Sequence, residues 1–159
     1  GETMKIFVAA PFGSKMEANG AFEPGYRKRL EKLHHNIETA GHSIFASQRN
    51  EEWGSSPLSP DTYVPVDYHE LASSDVIIAV LGANPSLGVC IELGWASALQ
   101  IPIIVVGKHA RSSTMISGLH RVSEVHYIAA DLEEMTPTDQ DLFKQLQVYL
   151  SGEAADGEE

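Results

Sequence analysis

The chain has 159 residues, 43% of them hydrophobic, enough for one domain of ordinary size with a sizeable core. Its 22 acidic residues against 11 basic ones give a formal net charge of −11, which argues against the basic footprint that nucleic acid or an anionic membrane surface requires. No apolar run approaches the roughly 20 residues of a membrane-spanning helix. Gly1 to Thr3 read as a short non-native remnant ahead of Met4, with no secretory leader, and residues 152–159 as an acidic, solvated, disordered tail. The single cysteine, Cys90, excludes an internal disulfide and points to a reducing cytoplasm. No base neighbours it, so it reads as a small buried residue.

In chain order, Lys5–Ala10 predicts a short buried strand ended by Pro11. From Phe22 to Ala40, Tyr26, Leu30, Leu33 and Ile37 recur at helical spacing, and Gly41 supplies the stop. Ser43–Ala46 is a second strand. The polar stretch from Ser47 to Ser59 holds two anchors, Arg49 and Trp53, and Pro60 to Ser74 reads as a helix entered at Ser59 or broken near Pro65. Val76–Leu81 is an unbroken apolar strand, as expected when both faces are covered. A helix over 84–99, a strand over 102–106, a short helix over 113–119, a strand over 125–128 and a closing helix over 139–150 complete one domain, residues 4–151. Alternating strands and helices predict an α/β fold: three layers around a mostly parallel five-stranded sheet, flavodoxin-like or Rossmann-like. Ligands in such folds sit at the carboxyl ends of the strands, at the loops after Ala10, Ala46, Leu81 and Val106.

The loop after Leu81 leads into a helix that Ser86 is placed to cap. A helix start offers unpaired N–H groups and a positive dipole end, so an anion can bind there without a lysine, and Gly88 admits close approach. An ordinary capping serine and a packing glycine fit the same residues. Glu92 is harder to explain: it lies about one and a half turns into an apolar helix, flanked by Ile91 and Leu93. A carboxylate in that setting is desolvated unless a partner or a substrate stabilises it. Asp67 precedes Leu71 by one helical turn; if Leu71 packs on the sheet, Asp67 points to the same edge as Glu92. Two carboxylates in distinct environments are what substitution at an anomeric carbon needs. His69 is a competing acid–base candidate, and Asp75 reads as a turn residue.

"KIFVAAPFG", the D-x7-D-V-I-I-A-V spacing from Asp67 to Val80, and "PSLGVCIELGWASAL" resemble the nucleoside 2-deoxyribosyltransferase-like superfamily. The resemblance implies that Glu92 is the nucleophile at C1′ of a nucleoside and that Asp67 is the acid–base residue. Six residues before the nucleophile the transferases usually carry an aspartate, whereas Ser86 here matches hydrolases of nucleoside 5′-monophosphates; a hydroxyl admits a phosphate that a carboxylate would repel. "SQRNEEWGSSPLSP", "ELGWASAL" and "MISGLHRVSEV" are similar to the CMP and hydroxymethyl-CMP N-glycosidases of nucleoside-antibiotic pathways.

That likeness implies phosphate contacts from Ser86, Gly88, Ser14 and Ser113, the last reaching across a homodimer with shared sites. Phe12, Arg49 and Trp53 would belong to the base pocket. Tyr26 matches a tyrosine of the 2′-deoxynucleotide hydrolases, though about a turn out of place. Those hydrolases commonly place an arginine where this chain has Gly13-Ser14-Lys15. The expected reaction is retaining hydrolysis of a pyrimidine nucleoside 5′-monophosphate, CMP-like, with no metal and no cofactor. The two carboxyls are then expected roughly 5–5.5 Å apart. A 2-deoxyribosyltransferase, a 2′-deoxynucleoside 5′-phosphate N-hydrolase and a nucleotide-binding module without turnover are the alternatives.

Overall fold

The structure, a computed structural model, describes residues 2–11, 24–82, 86–108, 114–132 and 140–151. Five strands, β1 (Lys5–Ala9), β2 (Ser43–Phe45), β3 (Val76–Val80), β4 (Ile103–Val106) and β5 (Val125–Ile128), form one sheet in the order β2-β1-β3-β4-β5. Every neighbouring pair is parallel, with Ile6 opposite Ile44 on one side of β1 and opposite Val76 on the other. This is the flavodoxin-like strand order, whose connections reverse direction between β1 and β3. In folds with this order that switch point, at the carboxyl ends of the strands, is where ligands bind.

Six helices complete the described chain: α1 (Pro24–Thr39), α2 (Ser47–Asn50), α3 (Pro60–Ala72), α4 (Leu87–Ala98), α5 (Thr114–Gly118) and α6 (Gln140–Ser151). Strand pleating sorts the core into two layers, because successive side chains face opposite ways. Ile6 and Val8 of β1 join Tyr26, Leu30, Leu33 and Ile37 of α1 and Leu142 of α6 on one face. Phe7 and Ala9 join Leu71 of α3, Val89, Leu93 and Ala96 of α4 and Ile116 of α5 on the other. The helix–sheet–helix sandwich follows directly from that alternation.

Local chemistry explains the element ends. Gly41, at φ +100°, lets the His42 N–H reach back to the Ile37 carbonyl and closes α1 with the glycine stop that was expected. Ser59 occupies the N-cap of α3 and Pro60 its first turn, where a proline loses no helical bond. Pro65 does not break α3. It lies on the exposed side, where the Asp61 carbonyl that loses its helical donor can turn to water.

Two expectations change. The polar stretch after β2 is not a plain loop: it folds into α2 and a 3₁₀ turn at Glu52–Gly54. Cys90 is exposed rather than buried, because α4 turns Val89, Glu92, Leu93 and Ala96 inward and leaves position 90 outside that stripe. No described helix is long and apolar enough to cross a membrane.

Leu71 is fully buried between α3 and the sheet and fixes the rotation of α3. Leu71→Ala is expected to cost about 2–5 kcal/mol of unfolding free energy in urea titrations, from lost transfer energy plus the cavity left behind.

Candidate active site

Helices α3 and α4 both descend from the carboxyl end of the sheet and pack side by side, with the Tyr68 and Trp95 rings edge to face at 5.2 Å. Asp67 is the eighth residue of α3 and Glu92 the sixth of α4, so at 1.5 Å per residue they lie roughly 10 and 8 Å from their helix starts. Each is only 9% exposed. Burial of Asp67 and Leu71 on one stripe bears out the i, i+4 geometry expected from their spacing.

Among the described residues no cation pairs with either carboxyl. Oδ1 of Asp67 and Oε2 of Glu92 are buried without a hydrogen-bond partner among the described residues. Burial, first, and the charge of Asp67, second, together raise the Glu92 carboxyl to about 8. Burial, with a smaller contribution from the charge of Glu51, raises Asp67 to about 6. Asp67 therefore ionises first, and Glu92 must ionise against it. Between about 6 and about 8 the pair holds one proton. One carboxylate and one carboxylic acid on neighbouring helices can serve as nucleophile or base and as acid.

Helix α4 begins at a serine cap. The Ser86 hydroxyl caps it by accepting the Val89 N–H at 3.1 Å. The N–H groups of Leu87 and Gly88 have no intrahelical acceptor, as at every helix start. Gly88 is exposed and a Cβ there would meet nothing within 4 Å, so packing does not demand a glycine. The capping serine and the free first turn stand on the helix that carries Glu92.

The remaining candidates divide. Phe12, Ser14 and Ser113 lie outside the described residues. Tyr26 is buried in the core layer under α1. Arg49 pairs with Glu38 of α1 at 2.5 Å. Trp53 packs against that same layer, with the Arg27 guanidinium 4.9 Å from its ring centre. The structure thus sets Tyr26, Arg49 and Trp53 on the α1 face, whereas Asp67 and Glu92 share the α3–α4 face. His69 is exposed on α3, and Asp75 accepts the Lys5 N–H at 2.8 Å as a turn residue.

Two inward residues of the stretch after β2 were not singled out by sequence. Gln48, fully buried, donates from Nε2 to the Ala10 carbonyl at the end of β1. Glu51, one turn on and 6% exposed, accepts the Leu58 N–H at 2.9 Å. Their i, i+3 spacing directly after a strand was the available signal. The arginine and the tryptophan drew attention instead.

A carboxyl whose folded pKa lies above its unfolded one binds more protons folded than unfolded, so it weakens folding as pH rises. For Glu92 that window runs from its ordinary 4.5 up through about 8. Glu92→Gln is expected to raise Tm at pH 8 and to leave it nearly unchanged at pH 5, each kcal/mol recovered being worth about 2–4 °C at this size. Calorimetry at the two pH values checks it; equal shifts at both would refute the buried, proton-retaining glutamate.

A sequence model described as nucleoside 2-deoxyribosyltransferase matches residues 18–147. A protein of Syntrophotalea carbinolica assigned as 2′-deoxynucleoside 5′-phosphate N-hydrolase 1 is 27% identical over 121 residues, 73% of this chain and 83% of its own. Among solved structures, the Clostridium botulinum CMP N-glycosidase BcmB superposes with a TM-score of 0.66 at 28% identity, over 91% of this chain and 98% of that one. The solution structure of BlsM superposes with a TM-score of 0.70 at 25% identity, over 92% and 93%. Sequence match, strand order and overall superposition agree, and the chain belongs to the nucleoside 2-deoxyribosyltransferase family.

Proposed function

We propose that this protein hydrolyses the N-glycosidic bond of a nucleoside 5′-monophosphate, giving the free base and ribose or 2-deoxyribose 5-phosphate, with a CMP-like pyrimidine favoured. One observation carries the proposal: two buried carboxyls on neighbouring helices each hold an oxygen with no hydrogen-bond partner among the described residues, and one of those helices has its start capped by Ser86. Support comes from similar proteins named as a CMP N-glycosidase and a nucleoside 5′-phosphate N-hydrolase.

In the proposed reaction the N–C1′ bond lengthens and positive charge builds on the ribose ring. That charge favours the anionic form of Glu92, so the proton of the pair moves toward Asp67. Glu92 bonds to C1′ as an ester while Asp67 gives its proton to the departing base. Asp67 then takes a proton from water, which attacks C1′ and frees Glu92 as a carboxylate. Two displacements retain the anomeric configuration. Ser86 and the N–H groups of Leu87 and Gly88 receive the 5′-phosphate, away from the reacting carbon, and hold C1′ against Glu92. In this reading Ser14 and Ser113 complete the phosphate contacts and Phe12 borders the base, while Arg49 and Trp53 pack with α1. No metal or cofactor is invoked.

A homodimer is part of the proposal. Leu87 (83% exposed) and Ile91 (54%) stand one turn apart on α4. Val64 and Tyr68 of the adjacent α3 are also exposed. A second copy covering this face would bring its Ser113 to the phosphate. Sedimentation of wild type at twice the chain mass, and of Ile91→Asp at the single mass with lost activity, is the expected pair of results. A monomeric, active wild type would remove the shared site.

The decisive assay is chromatography of free base from a panel of ribo- and 2′-deoxyribonucleoside 5′-monophosphates. Glu92→Gln should cut release by roughly 10³-fold or more while nucleotide binding persists. For wild type, kcat/KM should rise with pH near about 6, as Asp67 deprotonates and the pair loses its second proton, and fall near about 8 as the last proton leaves Glu92. Base exchange in place of hydrolysis would make the protein a transferase. Binding without release by wild type would make it a nucleotide-binding module.

A further inference from the structure

The connection from β2 to α3 is fastened to α1 along one stripe. Arg27, Glu31, His34 and Glu38 follow one another on α1 at three- and four-residue steps, so they share a face. Arg49 of α2 donates to Glu38 at 2.5 Å. The Trp53 indole lies 5.9 Å from the His34 ring, centre to centre. The Arg27 guanidinium, paired with Glu31 at 2.6 Å, sits 4.9 Å from the indole centre. Around Trp53 the turn is otherwise open: Glu52, Ser55, Ser56 and Pro57 are exposed. Its backbone is strained as well, with φ of +49° at Glu52 and +56° at Trp53, a left-handed pair that such residues rarely adopt. Strain of this kind persists only where packing holds it, and here the packing is against α1.

An anchor for an indole needs only an apolar surface, which leucine or phenylalanine would supply. His34 is instead a titratable ring, fully buried, with Nδ1 and Nε2 both without a hydrogen-bond partner among the described residues. Neutral, it packs as an aromatic. Charged, it would share the indole with Arg27 and would need an acceptor. The acids near it on α1, Glu31 and Glu38, are engaged by Arg27 and Arg49. Glu52 of the turn accepts the Ser56 hydroxyl, and Ile6, Val8 and Ile44 bring no charge from the strands of this layer. Burial, with the Arg49 charge next, accordingly lowers the imidazole from its ordinary 6.5 to about 4, against an opposite pull from Glu38 and Glu31.

We propose that His34 and Trp53 form an acid-released latch: the neutral imidazole holds the turn over 52–57 against α1, and a proton on it lets that turn swing away while the sheet stays folded. Gln48, bonded to the Ala10 carbonyl at 2.9 Å, keeps the start of the connection on β1. The turn leads straight into α3, the helix that carries Asp67, so the latch couples acidity to the freedom of that helix start. The inference does not depend on the reaction proposed above. Its sign follows from linkage: closure is at full strength above 6.5, the ordinary value, and weakens as pH falls toward about 4.

Amide hydrogen exchange measures the opening directly, however rare the open state is. The Gly54 and Ser56 N–H groups, bonded to the Glu51 carbonyl at 3.0 and 3.1 Å, report on the turn, and the Ile77 N–H, bonded to the Pro102 carbonyl at 2.9 Å, reports on the sheet. After correction for intrinsic exchange rates, protection of Gly54 and Ser56 should fall toward tenfold per pH unit below 6.5, roughly 300-fold by about pH 4. Ile77 should keep its protection over that range. In His34→Phe, which keeps a ring against Trp53 and cannot titrate, the turn should lose this dependence. The same fall in His34→Phe, or a fall shared equally by Ile77, would overturn the latch. Should His34→Phe fail to fold, His34→Leu is read in the same way, and the contrast between turn and sheet in wild type needs neither variant.

Discussion

Buried carboxyls with no cationic partner among the described residues, held under apolar side chains on two helices packed against a parallel sheet, are the constraint from which the rest of this structure is understood. Asp67, Glu92 and Glu51 arrive from three successive segments and are each at most 9% exposed. No described cation pairs with any of them. Leu71, Val89 and Leu93 lock the two helices against the sheet, so Asp67 and Glu92 cannot separate or reach bulk water and hold their protons to higher pH instead. Hydrophobic packing thereby sustains an electrostatic state that the carboxyls alone would not choose, at some cost in stability above neutral pH.

The flavodoxin-like strand order makes this arrangement available. Reversal between β1 and β3 sets the switch point of such folds where α3 and α4 begin. Both helices run down from that end of the sheet, so a side chain a turn or two below each start meets its counterpart at similar depth. The α4 start adds a positive dipole end and free N–H groups on the same helix that buries Glu92. In the proposed hydrolysis, anion recognition and acid–base chemistry would share one rigid element, which favours fixed geometry between a bound phosphate and a reacting carbon.

Much of this was legible in the sequence, for reasons that can be named. Unbroken apolar runs such as Val76–Leu81 demand two covered faces, and their alternation with amphipathic helices dictates the sandwich. Glu92 stood out as a charge inside an apolar helix, and Asp67 followed from its spacing to Leu71. The strand order 2-1-3-4-5 was not written in periodicity, which does not record which strands become neighbours. Cys90 looked buried because its neighbours in sequence are apolar, yet the helical stripe runs through positions 89, 92, 93 and 96. Glu51 and Gln48 were hidden in a stretch that looked like polar loop, where a four-residue helix sets direction without leaving a period to read.

The central claim is that Asp67 and Glu92 face each other closely enough to share a proton. Titrating the Glu92 carboxyl carbon by NMR in wild type and in Asp67→Asn tests this most directly, because the substitution removes the opposing charge and keeps the burial. The account predicts a midpoint near about 8 in wild type and a clearly lower one in the variant. The same midpoint in both proteins would contradict it.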